Sequence, residues 1–138
     1  MKKTFKVLIL LFIVCFLVTG CFNTKKKEEK KEEVKVVTAE KISYSKLNDI
    51  VTHYDEHINT DVVDVRSEEL FEEGHVTGAI NIPYEELDNI IIDLNREIII
   101  YGDSAVKSKQ AAKELIGLGY KNVKYIAGIN NWPYELED

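Results

Sequence analysis

The chain has 138 residues, enough for one modest domain and an N-terminal appendage. It carries 18 basic and 24 acidic side chains, a formal charge of −6, so its surface does not suit nucleic acid as a partner. Both cysteines, Cys15 and Cys21, lie near the N-terminus, so the rest of the chain has no disulfide and no cysteine metal site. His53 and His57 are four residues apart on a predicted helix, but no carboxylate motif joins them. We interpret them as a solvated helix face and expect neither a metal nor a cofactor.

The first twenty residues have the pattern of an export signal. A short basic region, residues 1–6, precedes a continuous apolar run over residues 7–18. That run is too short for a comfortable membrane span and has the length of a signal-peptide core. The sequence VTGC that ends at Cys21 resembles the bacterial lipobox, in which cleavage frees the cysteine and its thiol takes a diacylglycerol. We therefore expect residues 1–20 to be a lipoprotein signal peptide and Cys21 to be lipidated, which would anchor the protein at the extracytoplasmic face of the membrane. The alternative is an uncleaved membrane anchor with an unmodified Cys21.

A charged segment follows the lipobox. Like charges fall four residues apart at Lys26 and Lys30, and at Glu28 and Glu32, and such pairs disfavour a helix. We expect residues 21–40 to be a lipidated cysteine and a flexible tether. Its basic blocks can also contact anionic head groups. The globular domain is then predicted over residues 41–138, which hold 9 basic and 19 acidic groups, a formal charge of −10.

Predicted strands and helices alternate along this domain. In chain order we predict a short edge strand at 41–43, a helix with Leu47, Ile50, Val51 and Tyr54 on one face and Ser43 or Ser45 as its cap, a strand at 61–66, an acidic helix at 68–73 capped by Ser67, a strand at 79–82, a short helix and connector at 84–93, a strand at 98–101, a helix from Ser104 to 117–119, and a strand at 122–126. This alternation predicts a parallel α/β sheet with right-handed crossovers.

The stretch after the strand at 98–101 is the candidate binding site. Gly102 permits unusual backbone angles where the chain leaves the strand, and Ser104 can cap the helix that follows. A strand that feeds a short loop into a helix directs backbone N–H groups at one spot, at the sheet edge where α/β proteins bind ligands. The candidate anion or ligand loop consists of Gly102, Asp103, Ser104, Ala105, Val106 and Lys107.

Several motifs, in this order and spacing, resemble the rhodanese homology domain. They are Asp64-Val65-Arg66, residues 74–83, the strand that ends at Tyr101 before a loop, and residues 128–132. The resemblance covers about residues 38–135. It implies a three-layer α/β fold, in which a five-stranded parallel sheet is flanked by helices. It also implies a persulfide-carrying cysteine as the first residue of the loop after the strand.

The chain departs from that family at the cysteine itself, because Gly102 stands at its position. Sulfur transfer of this type needs a thiolate that carries the sulfur, and glycine offers no such atom. Asp103 adds a negative charge at the mouth of the site, which disfavours thiosulfate-like anions. Ser104 has no neighbouring base and is interpreted as a helix cap rather than a nucleophile. Lys107 marks either a residual anion site or a solvated face.

Four further motif residues are interpreted as structural. Asp64 and Arg66, at a strand end, are expected to hold neighbouring loops through hydrogen bonds. His75 is expected to bond locally within its turn, since no nucleophile stands beside it in the sequence. Trp132 is expected to fill the core and close the fold.

Two functions remain open at this point. In the first, the chain is a lipid-anchored, non-catalytic rhodanese-like domain that binds a protein partner or a small anion at loop 102–107. In the second, it is a sulfurtransferase or sulfur carrier that uses a thiol from outside this domain. A phosphatase-like activity is a weaker alternative, because that chemistry also needs a loop cysteine. The missing cysteine favours the first function.

Overall fold

A computed structural model describes residues 37–138 of the chain. The predicted signal peptide, the lipidation site and most of the predicted tether lie outside the described residues. Among the residues that are described, no helix is both long enough and apolar enough to cross a membrane.

The fold is built on one sheet of five strands in the order β1-β5-β4-β2-β3, with every neighbouring pair parallel. The predicted α/β class and five-stranded parallel sheet are thereby confirmed. The strands are β1 (Glu40–Lys41), β2 (Thr60–Asp64), β3 (Ile80–Asn81), β4 (Glu97–Tyr101) and β5 (Asn122–Tyr125).

Within residues 37–138, three α-helices and three short 3-10 helices connect or follow the strands. The predicted caps are confirmed, since the hydroxyls of Ser43, Ser67 and Ser104 each accept a backbone N–H at the start of a helix. The α-helices are α1 (Tyr44–Thr52), α2 (Glu68–Glu72) and α3 (Ala105–Gly117), and the 3-10 helices are Tyr54–Glu56, Tyr84–Asn89 and Ile129–Asn131.

β4 lies in the middle of the sheet and is buried on both faces. Its side chains alternate between two cores, as the pleat of a strand requires. Ile98 and Ile100 pack on the side of α3, and Ile99 and Tyr101 pack on the side of α1. All four are fully buried. The sheet is therefore the middle layer of three.

The structure differs from the sequence-based predictions in local details. The first strand begins at Glu40, and Ala39 packs against the core, so the folded part starts before residue 41. The predicted helix through Tyr54 ends at Thr52, because His53 leaves helical geometry at φ −120° and ψ 46°. As a result His53 and His57 do not share one helix, and the prediction of a common helix face for them is wrong.

Candidate functional site

A pocket of about 350 Å³ opens where β2 and β4 end. This is the edge of a parallel sheet at which ligands usually bind. The sequence indicates the loop after β4 as one of its walls, and in active relatives an arginine equivalent to Arg66 is also expected near the pocket. The lining residues are Val65, Arg66, Ser67, Leu70, Tyr84, Glu85, Gly102, Asp103, Lys107 and Gln110.

The loop after β4 is held by its own hydrogen bonds. The Gly102 N–H donates to Ser108 Oγ at 3.0 Å, and that hydroxyl donates to the Ser104 carbonyl at 3.0 Å. Ser104 Oγ accepts the Lys107 N–H at 3.4 Å. Two of the loop's N–H groups are thus satisfied internally. The fully buried Ser108 therefore supports the loop. Its spacing in the sequence indicates only that it lies on the apolar face of the helix, and not that it binds the loop.

Gly102 is buried, and its backbone does not have a positive φ. The prediction that glycine is used here for unusual backbone angles is therefore wrong. Its use is close packing: a Cβ at this position would lie 3.2 Å from Lys107 Cβ and 3.3 Å from Val65 Cγ2. A side chain here would fit only if these neighbours moved apart by a few tenths of an ångström.

Gly128 supports the loop from behind and was missed as a site residue. It has a φ of +105° and a ψ of 159°, a conformation that essentially only glycine adopts. A Cβ here would lie 2.6 Å from Ser104 Cα and 2.7 Å from the Asp103 carbonyl oxygen. The next N–H, that of Ile129, donates to the Gly102 carbonyl at 2.9 Å. The loop at 128–129 thus presses directly on the loop after β4.

Asp103 and Lys107 form an ion pair across the mouth of the pocket. Lys107 Nζ donates to Asp103 Oδ2 at 2.7 Å, one helical turn away. The hydrogen bond from Lys107 is the main reason why the pKa of Asp103 is held below its ordinary value. The one lysine of the loop is therefore already neutralised by a neighbour in the same loop.

The second cation of the pocket is also paired. Arg66 binds Asp64, which is fully buried, through Nε at 3.0 Å and Nη2 at 2.7 Å, and Nη2 also donates to the Gly74 carbonyl. Burial alone would lower the pKa of Arg66, but the hydrogen bond to Asp64 and its charge outweigh burial and raise it. This pair ties the end of β2 to the turn at residue 74, as predicted for Asp64 and Arg66.

The charges of the pocket therefore sum to a negative value. Arg66 and Lys107 are each balanced by a carboxylate, and the exposed Glu85 on the rim has no ion-pair partner among the described residues. Tyr84 and Leu70 supply exposed apolar surface beside it. A small dianion such as thiosulfate meets no uncompensated cation here, in keeping with the effect expected of Asp103 on such anions.

His75 and Trp132 have structural surroundings. His75 Nδ1 lies 3.0 Å from the Phe71 carbonyl, and its ring stacks on Phe71 at 3.7 Å. His75 therefore bonds within its turn, as predicted. Trp132 is half-buried against the core on the side of α1, edge-on to Tyr44 at 5.7 Å. It closes that core at the surface rather than from within.

No group in residues 37–138 combines three or more histidine, cysteine, aspartate or glutamate side chains in a metal-binding arrangement. The pocket has neither a thiol nor an imidazole among its lining residues. The one tyrosine hydroxyl buried near it, that of Tyr101, accepts the Val76 N–H at 3.1 Å, and burial raises the pKa of Tyr101 well above its ordinary value. The described walls thus offer binding groups but no activated nucleophile.

A parallel α/β sheet with a strand–loop–helix pocket at its carboxyl edge places the chain among α/β proteins whose ligands bind at that edge of the sheet. The model of the rhodanese-like domain family matches residues 43–133, and the chain belongs to that family.

Two curated relatives illustrate the family. The chain is 34% identical over 73 residues to the thiosulfate sulfurtransferase PspE of Escherichia coli (strain K12), an alignment covering 50% of this chain and 70% of PspE. It is 33% identical over 86 residues to YrkF of Bacillus subtilis (strain 168), a proposed sulfur carrier protein. That match covers 60% of this chain but only 45% of YrkF, so the chain spans less than half of that relative.

Solved structures agree with the fold. The rhodanese-like domain of an Anabaena sp. protein superimposes with a TM-score of 0.64 at 22% identity, covering 70% of this chain and 77% of that domain. An Escherichia coli rhodanese solved with anions superimposes with a TM-score of 0.52 at 29% identity, covering 57% of this chain and 98% of that protein. The three-layer arrangement is therefore the one that rhodanese-like proteins have.

Proposed function

We propose that this chain is a rhodanese-like binding module that does not itself transfer sulfur, and that a lipid on Cys21 holds it at the extracytoplasmic face of the membrane. The observation that carries the non-catalytic assignment is Gly102 on the floor of the pocket. Its N–H and carbonyl are both engaged within the fold, and it presents no atom that can hold a sulfane sulfur. The anchor rests on the basic region, the apolar run and the VTGC sequence at Cys21.

The pocket charge bears on what the module binds. A protein partner that covers Tyr84 and Leu70 would bury apolar surface and meet an acidic rim. A small anion is the other ligand class that the strand–loop–helix geometry suggests. The Asp103–Lys107 pair weighs against it, since the anion must displace a carboxylate that already holds the lysine. A protein partner is therefore the ligand that this proposal favours.

The second candidate is a sulfurtransferase or sulfur carrier that borrows a thiol. Its support is the kind of relative that the chain resembles, a thiosulfate sulfurtransferase and a proposed sulfur carrier. A cysteine of a docked protein would then have to enter the pocket over Gly102. This role keeps the same pocket and differs from the first in whether sulfur is ever carried there.

The purified chain should transfer no sulfur from thiosulfate to cyanide or to a thiol above the buffer rate. The physical reason is that no residue of the pocket forms a persulfide. The measurement is thiocyanate release, with intact-mass spectrometry after thiosulfate treatment to detect any sulfur adduct. Turnover or an adduct on residues 37–138 would overturn the non-catalytic assignment, and turnover only after addition of a partner thiol would favour the second candidate.

The anchor has its own test. Protein extracted from membranes should have a mass that lacks residues 1–20 and is increased by acyl chains, because cleavage at the lipobox frees Cys21 for acylation. Cys21→Ala should accumulate as the uncut precursor, whereas Cys15→Ala, inside the apolar run, should be processed normally. A water-soluble mature form or an uncut wild-type chain would contradict the lipoprotein assignment.

A further inference from the structure

One surface of the domain has a charge opposite to the rest. A groove of about 340 Å³ runs beside β1 and the exposed face of α3, and three lysines line it without any carboxylate. Val106, 72% exposed, lies among them. The groove is lined by Lys41, Ala105, Val106, Lys109, Gln110, Lys113 and Tyr125. We name it the lysine groove.

The lack of acidic partners is unusual for this domain. Residues 41–138 contain more than twice as many acidic groups as basic ones, so most basic side chains of the domain are expected to have an acidic partner. Of the nine lysines and arginines in that range, four form no ion pair with another residue of 37–138, and three of those four line the groove; the fourth is Lys121. The paired ones are Lys46 with Asp49, Arg66 with Asp64, Arg96 with Asp61, Lys107 with Asp103, and Lys124 with Glu97.

The arrangement also works against the stability of the helix. Lys109 and Lys113 are four residues apart on α3, a spacing at which like charges destabilise a helix. Lys41 comes from a different element, the edge strand β1, where it lies opposite Tyr125 of β5. Two separate elements thus bring positive charge to one groove, although the repulsion between Lys109 and Lys113 destabilises the helix. Such an arrangement is typical of a surface that binds a negatively charged partner.

The position of the lysine groove relative to the chain indicates the occupant. Lys41 follows directly on the segment that leads to Cys21, twenty residues earlier. If residues 21–40 form the flexible tether that the sequence predicts, their root-mean-square span is about 25 Å and their fully extended reach about 70 Å. If Cys21 is embedded in a bilayer, as the proposed function holds, the groove is within easy reach of the lipid head groups, and the anchor makes that contact intramolecular.

We propose that the lysine groove rests on the anionic phosphates of lipid head groups and so sets the orientation of the anchored domain. Each lysine near an anionic membrane surface favours contact by about fivefold, so three favour it by about a hundredfold. Val106, exposed beside the lysines, provides a small apolar contact. Gln110 lines both this groove and the pocket over Gly102, so this orientation would hold the mouth of that pocket beside the membrane.

The test compares lysine reactivity on two membranes. The full chain is placed in vesicles of phosphatidylcholine alone, or of phosphatidylcholine mixed with phosphatidylglycerol, and acetylation of each lysine is followed by peptide mass spectrometry. Lys41, Lys109 and Lys113 should each react about tenfold more slowly on the anionic vesicles, and high salt should abolish the difference. Lys121, exposed and outside the groove, serves as the internal control. Equal rates on both membranes would overturn the inference.

Charge-reversal variants distinguish an effect of the lysine groove from an effect of the overall charge of the protein. The double change Lys109→Glu with Lys113→Glu should remove the protection of Lys41 on anionic vesicles, whereas Lys121→Glu should keep it. Both variants change only exposed side chains, so both should fold.

Protection of the same lysines by inorganic phosphate in detergent, to the extent seen on vesicles, would assign the groove to free phosphate and overturn the membrane contact. If the chain has no membrane anchor, it leaves the vesicles on sedimentation; if it keeps an uncleaved anchor in place of a lipid, it sediments with them and its mass still includes residues 1–20. If only the present inference is wrong, the chain sediments with them and its lysines stay reactive.

Discussion

Gly102→Cys should form a persulfide with thiosulfate, whereas the wild-type chain and Gly102→Ala should form none. The new thiol would stand at the floor of the pocket beside the start of α3, where the helix N-terminus lowers a thiol pKa. Backbone strain does not oppose the change, since Gly102 lacks a positive φ. The measurement is the mass increase of one sulfur after thiosulfate treatment, followed by thiocyanate release with cyanide.

The alanine variant is the matched control because it adds the same Cβ. That carbon meets Lys107 Cβ at 3.2 Å and Val65 Cγ2 at 3.3 Å, so both variants should lose about 1 kcal/mol of unfolding free energy through overpacking. If both variants lose the same unfolding free energy and only Gly102→Cys forms a persulfide, the wild-type chain is inactive because it lacks one thiol. A folded cysteine variant that takes up no sulfur would show that the loop has diverged beyond its first residue.

Adding Asp103→Asn to Gly102→Cys should raise the rate of sulfur uptake by about tenfold. The change leaves Lys107 without its carboxylate and gives thiosulfate an uncompensated ammonium group at the mouth of the pocket. A lone carboxylate about 4 Å from a thiolate would cost near 4 kcal/mol at an effective dielectric of 20. Pairing with Lys107 leaves only part of that cost, so we expect a gain of about tenfold, which corresponds to about 1.4 kcal/mol. The gain should shrink in high salt.

The elements that the sequence predicted correctly are those whose causes are local. The run from Ile98 to Tyr101 is β-branched or aromatic and apolar on both faces, which favours a strand buried on both faces, and the structure buries it completely. The helix after it was predicted from Ser104 and the spacing of Ala111, Ala112 and Leu115, all of which the structure places as expected. Each of these signals lies within a few residues of the element it predicts.

The parts of the site that were missed depend on contacts between distant residues. In the sequence Gly128 is only part of the family motif at residues 128–132, because its close approach to Ser104 is a property of the folded chain and not of its neighbours in sequence. Glu85 and Tyr84 reach the pocket from the segment before β4, which no local pattern indicates. The Asp103–Lys107 ion pair is an exception, because its spacing of four residues at the start of a helix can be read from the sequence. Lys107 was nevertheless interpreted without Asp103 as its ion-pair partner.

Gly128→Ala should destabilise the domain by about 3 kcal/mol or more and disorder the pocket. The conformation at φ +105° and ψ 159° costs a non-glycine residue about 1–3 kcal/mol, and the added Cβ would also lie 2.6 Å from Ser104 Cα, which is backbone and cannot rotate away. For a domain of this size the melting temperature should fall by roughly 12–24 °C. Calorimetry or thermal circular dichroism measures this directly.

Substitutions at two other glycines distinguish backbone strain from steric overlap as the cause of the destabilisation at Gly128. Gly119 has a φ of +102°, but an added Cβ would meet nothing within 4 Å, so Gly119→Ala should show the cost of backbone strain alone. Gly117 lies in α3 with open space and no positive φ, so Gly117→Ala should be neutral or stabilising by up to about 1 kcal/mol. The loss at Gly128 should exceed that at Gly119, because only Gly128 presses on the loop after β4. Equal losses at the two positions would mean that this contact contributes nothing, and that the pocket floor is held by the Ser108 and Ile129 hydrogen bonds without support from behind.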